Sequence, residues 1–127
     1  MLEDLMTELH ASLEHMGTLD DDDEKREILT RCFATMGRFH VRLGTVVATM
    51  GNFLKEVADA KSQTGEILDT KQLGIIAAVC GLRKTSEEDH RWYLSHKKEI
   101  GAMRDELISR ARQLWFPIPE QFGDPPG

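Results

Sequence analysis

Nine apolar residues set the terms for this chain: Leu29, Cys32, Met36, Phe39, Leu43, Val46, Met50, Phe53 and Val57 follow one another at spacings of three and four without a miss. Such spacing averages 3.5 residues. It therefore traces one stripe along an α-helix, an a/d seam sustained over about four heptads, where a strand would need a period of two. Successive heptads, MGRFHVR, LGTVVAT and MGNFLKE, also repeat the order apolar, Gly, polar, apolar. The acidic run Asp20–Asp23 supplies an N-cap and a first turn that suit the helix dipole. From there to Lys61 the predicted helix has about 40 residues and a length of ~60 Å. A compact domain of this chain length is narrower than that. The helix must project, bend at a glycine, or be covered by a second subunit.

The helical wheel widens this seam with bulky e residues and adds a small-residue face at Gly37, Gly44 and Gly51 on the other side. The e positions are Phe33, His40, Val47 and Leu54, the f positions begin Ala34, Val41 and Ala48, and the b positions include Gly37, Gly44, Gly51 and Ala58. Only c and g are polar throughout. A surface helix buries one stripe, so a helix with apolar or small residues over more than half its circumference is expected to be central, with neighbours on two sides. Each interior glycine costs ~1 kcal/mol relative to alanine. Close packing along the Gly/Ala face would offset that cost; plain tolerance or a bend near Gly44 or Gly51 are the alternatives.

The remaining segments also read as helices. Leu2, Leu5, Met6, Leu9, Leu13 and Met16 form one stripe over residues 2–16, which Gly17 ends. The very apolar stretch KQLGIIAAVCGLRK predicts a buried helix over 70–84; a buried strand has the same composition, but the chain offers it no second strand to pair with. Thr85 and Glu88 make a capping box for a helix over 86–115, with Tyr93, His96, Ile100, Met103, Leu107, Ala111 and Leu114 as its stripe. All four prolines fall in residues 116–127, an extended tail that cannot continue the helix. The expected fold is all-α, a four-helix bundle-like domain over residues 1–115 built on the long central helix, followed by this tail.

At 127 residues, 40% hydrophobic and 30% charged, the chain has the composition of one folded domain. The longest apolar run, Leu73 to Leu82, is about half the ~20 residues a bilayer span needs. The acidic N-terminus lacks the pattern of a signal peptide. A cytoplasmic location, or the interior of a host cell, is expected. Cys32 and Cys80 sit in helical apolar patterns and read as reduced thiols. Residues 1–28 carry ten acids and two bases, residues 29–115 ten acids and fourteen bases, and the tail two acids. A chain of net charge −6 has no general attraction to nucleic acid or anionic membrane.

No motif in the chain requires catalysis. His10 and His15 are five apart and His90 and His96 six apart, so neither pair shares a helical face as two ligands would; His40 and His96 lie on apolar stripes and read as structural histidines. No metal and no cofactor are expected. Glu24-x-x-Glu27 and Glu66-x-x-Asp69 resemble the ExxE and ExxD pairs with which all-α nucleotide pyrophosphohydrolases of the MazG type hold Mg²⁺. That likeness covers only these two short patterns, at helix starts where acids are expected for dipole reasons. Six acids and six bases share residues 85–115, which describes a solvated, salt-bridged face. In the tail, Trp115, Phe116, Ile118 and Phe122 either strap across their own bundle or dock into a partner groove, the strap being the default.

These residues point to a non-enzymatic module for protein–protein interaction, an adaptor, regulator or small chaperone that acts through helical faces and self-associates as a homodimer. The expected helix-packing interface comprises Leu29, Met36, Gly37, Phe39, Leu43, Gly44, Val46, Met50, Gly51 and Phe53. A helical component of a larger viral or secretion assembly is the second reading, and the Mg²⁺-dependent hydrolase the third.

Overall fold

The heptad seam forms one uninterrupted α-helix. In the computed structural model, which describes residues 1–65 and 67–122, it runs unbroken from Asp22 to Thr64, through Gly44 and Gly51. We label the helices α1 (Leu2–Met16), α2 (Asp22–Thr64), α3 (Thr70–Cys80), α4 (Lys84–Ser95) and α5 (Lys97–Gln113), and a 3₁₀ turn follows at Glu120–Phe122. No strand occurs among the described residues. Asp21 caps α2 by accepting a hydrogen bond from the Asp23 amide at 2.7 Å. At the other end Gly65 takes a left-handed conformation (φ 70°), which an L side chain adopts only at a cost, and returns its N–H to the Lys61 carbonyl.

Beside small shifts at the end of α2 (Thr64, not 61) and of the last helix (Gln113, not 115), three predicted boundaries differ from the structure, each for a local reason. Helix α3 ends at Cys80, not 84, because left-handed Gly81 (φ 74°) closes a Schellman turn with Leu82 N–H on Ala77 O and Gly81 N–H on Ala78 O. Its start is a true capping box between Asp69 and Gln72, a pair the sequence reading passed over. The Thr85–Glu88 box does not form: α4 begins one residue earlier, after Arg83, with no side-chain cap. The expected helix over 86–115 breaks at His96 (φ −123°, ψ 22°), so there are five helices among the described residues. The break is chemical. His96 Nδ1 donates to the Trp92 carbonyl at 2.7 Å, taking the bond that its own N–H would make in a continuous helix, while its N–H moves to Tyr93 O. The ring stacks on Trp92 with centroids 4.4 Å apart.

The core occupies the first half of α2. Leu2, Met6, Leu9, Leu13 and Met16 of α1 meet Leu29, Cys32, Phe33, Met36 and Phe39 of α2, closed from the other side by Ile100, Met103, Leu107 and Ala111 of α5. Polar ties join the helices at the edges. Arg26 donates through Nε and Nη2 to the Leu114 carbonyl, placing a cation at the C-terminus of α5. Asp89, only 1% exposed, accepts from the Leu2 amide at 3.0 Å and from Arg42 Nε at 2.6 Å, and so ties α4 to the start of α1 and the middle of α2.

Beyond Val46 the bundle thins to a pair of helices. Helix α3 packs on α2, and Met50, Phe53 and Val57 in this part of α2 are half-buried. The expectation that this apolar segment is buried fails: α3 has no buried residue, and Ile75 and Val79 are 57% and 81% exposed.

Candidate functional site

Beside the a/d seam, the e residues and the small b residues of α2 line up as a second stripe with a covered and an uncovered part. Its first members are roofed by the C-terminal tail. Phe33 is buried with Phe116 stacked on it (centroids 5.7 Å, planes 9° apart) and Phe122 tilted against it at 5.6 Å. Gln121 lies over Gly37, where an added Cβ would meet its Nε2 at 3.6 Å. His40 packs on Phe122 at 5.3 Å. Past His40 the roof ends. Gly44, Val47, Gly51, Leu54 and Ala58 continue the stripe in the open, and a Cβ on Gly44 or Gly51 would meet nothing within 4 Å.

This arrangement sorts the residues expected at an interface. Leu29, Met36, Phe39 and Val46 are buried within the chain, and Leu43 packs against that core. They are intramolecular packing residues, because α1, α4 and α5 supply enough apolar surface for that half of the seam. Met50 and Phe53 are half-covered by α3. Gly44 and Gly51 face no neighbour, so within one chain the close-packing account of the glycines holds only at Gly37. The tail residues separate likewise. Phe116, Ile118 and Phe122 strap across their own bundle, which removes them as docking groups; residues 123–127 lie outside the described residues. Trp115 is 91% exposed and holds a left-handed conformation (φ 55°) at the C′ position of α5, with Phe116 N–H on Ala111 O completing the turn. That conformation costs an L residue roughly 1–2 kcal/mol.

At the end of the strap, α2, α5 and the tail enclose an open trough of about 740 Å³. Arg38, His40, Val41 and Arg42 line it from α2, Arg104 from α5, and Gln121 and Phe122 from the tail; no carboxylate lines it among the described residues. Arg38 pairs with Glu8 at 3.4 Å, Arg42 with Asp89 at 2.6 Å and Arg104 with Asp105 at 3.9 Å. Burial, and then the Arg104 cation, hold the His40 imidazole below its ordinary range. Sequence reasoning missed this site. Arg38 and Arg42 are legible as an i,i+4 pair on the polar strip, but Arg104 reaches them only through the tertiary fold.

His10 pairs with Glu99 at 2.8 Å across α1 and α5, and among the described residues no three His, Cys, Asp or Glu side chains cluster as metal ligands. Glu24 and Glu27 are exposed, Asp69 is the cap of α3, and Glu66 lies outside the described residues. The basic face of the later helices carries an Arg110–Glu106 pair at 2.8 Å and Lys97 over the Tyr93 ring at 5.3 Å. Among the described residues no helix is long and apolar enough to cross a membrane.

Burial pushes the Cys32 thiol up to about 11, with Glu8 adding to the rise and a hydrogen bond with Ser12 opposing it. Its unfolded counterpart ionises at 9.0. Between these values the unfolded chain has lost a proton that the folded chain keeps. The thiol's contribution is therefore intact below pH 9 and is lost on the way to pH 11, about 2–3 kcal/mol in total. Urea titrations across that range should show the decline, and Cys32→Ala should flatten it; equal slopes in both proteins would remove the assignment.

Compared with known proteins, the chain matches no protein-family profile, no curated protein and no solved structure.

Proposed function

We propose that this protein is a non-enzymatic interaction module that works as a homodimer, pairing coiled-coil fashion through the uncovered stripe of α2, and that it serves in the cytoplasm as an adaptor, regulator or small chaperone. One observation carries the reading: a second heptad stripe is covered by the chain's own tail as far as His40 and then continues, exposed, through Gly44, Val47, Gly51 and Leu54. The stripe is self-complementary. About a two-fold axis at the level of Thr49 along α2, an antiparallel copy sets Leu54 opposite Gly44 and Val47 opposite Gly51, a large group facing a small one each time. Isologous pairing of this kind closes on itself and needs no other partner. The outer half of α2 is ~36 Å long and about 10 Å wide, roughly half the ~800 Å² per partner of a standard interface. The exposed residues of α3, Ile75 and Val79, are the surface available to complete it.

Light scattering should return a dimer at micromolar concentration. Leu54→Glu, at a site 57% exposed in the monomer, should yield a monomer with unchanged helicity. Gly51→Ala should stabilise the isolated chain by about 1 kcal/mol through helix propensity while weakening the dimer, because its methyl meets the partner's Val47. A wild-type chain that stays monomeric at about 100 µM would end the homodimer reading.

A further inference from the structure

The strap lies on a stretch of α2 that the self-complementary pattern also reaches. Carried beyond the open residues, the antiparallel register sets Ala58 opposite His40, Lys61 opposite Gly37 and Gly65 opposite Phe33. Each pair again joins a large side chain to a small one, as the two pairs in the open do. The lengths agree as well. Helix α2 ends at Thr64, which this register brings level with Ala34. The last two turns of a partner's helix would therefore lie along Phe33 to His40, the stretch now covered by Phe116, Gln121 and Phe122. With the strap in place only residues 41–57 of the two helices can face one another, a length of ~25 Å; without it the contact runs from 33 to 65, ~48 Å. The shorter contact falls well below the ~800 Å² per partner of a standard interface, and the covered stretch holds much of what it lacks.

We propose that the tail is an autoinhibitory strap: it competes with a second copy of this chain for the Phe33–His40 part of α2, and so limits self-association. This rests on the antiparallel pairing proposed above. The strap is anchored at its two ends. It leaves α5 through Trp115, whose left-handed conformation (φ 55°) disfavours an L residue, so lifting relieves strain at its base. At its far end the Phe122 carbonyl accepts from Arg104 Nη2 at 3.3 Å, and the Phe122 ring rests on Phe33 and His40. Between these anchors the only regular element among the described residues is the 3₁₀ turn at Glu120–Phe122. In the single chain the alternative cover for Phe33 is water, and the strap stays down; a partner's helix offers other cover. Each full-length pairing needs two lifted straps, so the apparent association constant follows the square of the lifted fraction.

Sedimentation equilibrium on the full chain tests this. Phe122→Ala, which removes the ring from Phe33 and His40, should tighten the dimer about tenfold or more with helicity unchanged, and Arg104→Ala should act in the same direction by about threefold. Adding Ala58→Trp, at an exposed position opposite His40, should cancel the gain while changing the wild-type affinity less than about threefold. In the wild-type chain the Phe122 amide, bonded to the Pro119 carbonyl at 2.9 Å, should exchange faster as the concentration rises from about 10 to 500 µM, because pairing and strap closure oppose each other. Should Phe122→Ala lose helicity, Arg104→Ala and the exchange measurement carry the test. A wild-type dimer that is sensitive to Leu54→Glu but unchanged by the strap variants overturns the strap and leaves the homodimer standing. A gain that survives Ala58→Trp, or an amide exchange rate independent of concentration in a chain that dimerises, overturns it equally. Chains that all stay monomeric end both readings. A wild-type monomer that dimerises in Phe122→Ala, and loses that dimer with Leu54→Glu, supports the strap and ends the homodimer reading of the resting chain.

Discussion

Replacing Phe39 by alanine is expected to remove about 4 kcal/mol of stability and to lower the melting temperature by roughly 15 °C. Phe39 is fully buried, at the level where α2 meets both the first bundle and α4, and Trp92 of α4 packs edge-on against its ring at 6.1 Å. Truncation loses the transfer energy of the ring and leaves a cavity that the surrounding helices cannot fill without moving. Against the 5–15 kcal/mol that holds most domains of this size, the loss is a large share. The informative control is Phe53→Ala, at an equivalent position of the same heptad seam. Phe53 is only half-buried, so its truncation should cost about 1–2 kcal/mol in the monomer. Urea unfolding followed by circular dichroism measures both. Equal losses at the two positions would contradict a core that ends near Val46.

Asp89→Ala should cost about 3 kcal/mol, the largest effect expected from any polar substitution in the chain. The carboxylate is 1% exposed and does two jobs, accepting from the buried Leu2 amide at the start of α1 and from Arg42 Nε. Alanine leaves an amide without an acceptor and a cation without its counter-charge. The cost stays at the lower end for a broken buried pair because the Arg42 side chain is 39% exposed and can turn to water. Asp89→Asn keeps an acceptor for Leu2 and loses only the charge, so about half the loss is expected. Arg42→Ala strands a buried carboxylate, and combining it with Asp89→Ala should cost less than the two single losses together, by about 1–2 kcal/mol. Strict additivity would show that the two groups stabilise the fold separately.

Periodicity carried much of the architecture. The 3,4 spacing from Leu29 to Val57 is a property of local geometry, and so are the caps at Asp21 and the glycine stops, which is why α1 and α2 could be placed within a few residues. The misses came where a side chain competes with the backbone. His96 interrupts its helix because its ring takes the Trp92 carbonyl, and nothing in the spacing of Tyr93, His96 and Ile100 announces that choice. The predicted burial of the 70–84 segment failed for another reason. Hydropathy reports what a segment would gain from cover, while the amount of cover available depends on how many helices the rest of the chain can bring there.

The same limit applies to the candidate sites. Sequence showed that α2 is two-sided, with bulky a, d and e residues on one side and a small-residue face at Gly37, Gly44 and Gly51 on the other, because both are written on one continuous helix. It could not show that the tail, through Phe116 and Phe122, covers the first part of the second stripe and stops at His40. Nor could it show that Arg104, more than sixty positions from Arg42, completes a cationic trough, or that Asp89, one of three consecutive acids, is the buried one. What the sequence determined by itself was helix content and the number of faces each helix must satisfy, since these follow from interactions over three or four residues. Which faces are satisfied within the chain, and which charges are gathered or buried, was decided only by tertiary packing, because those contacts join residues whose separation along the chain says nothing of their distance in space.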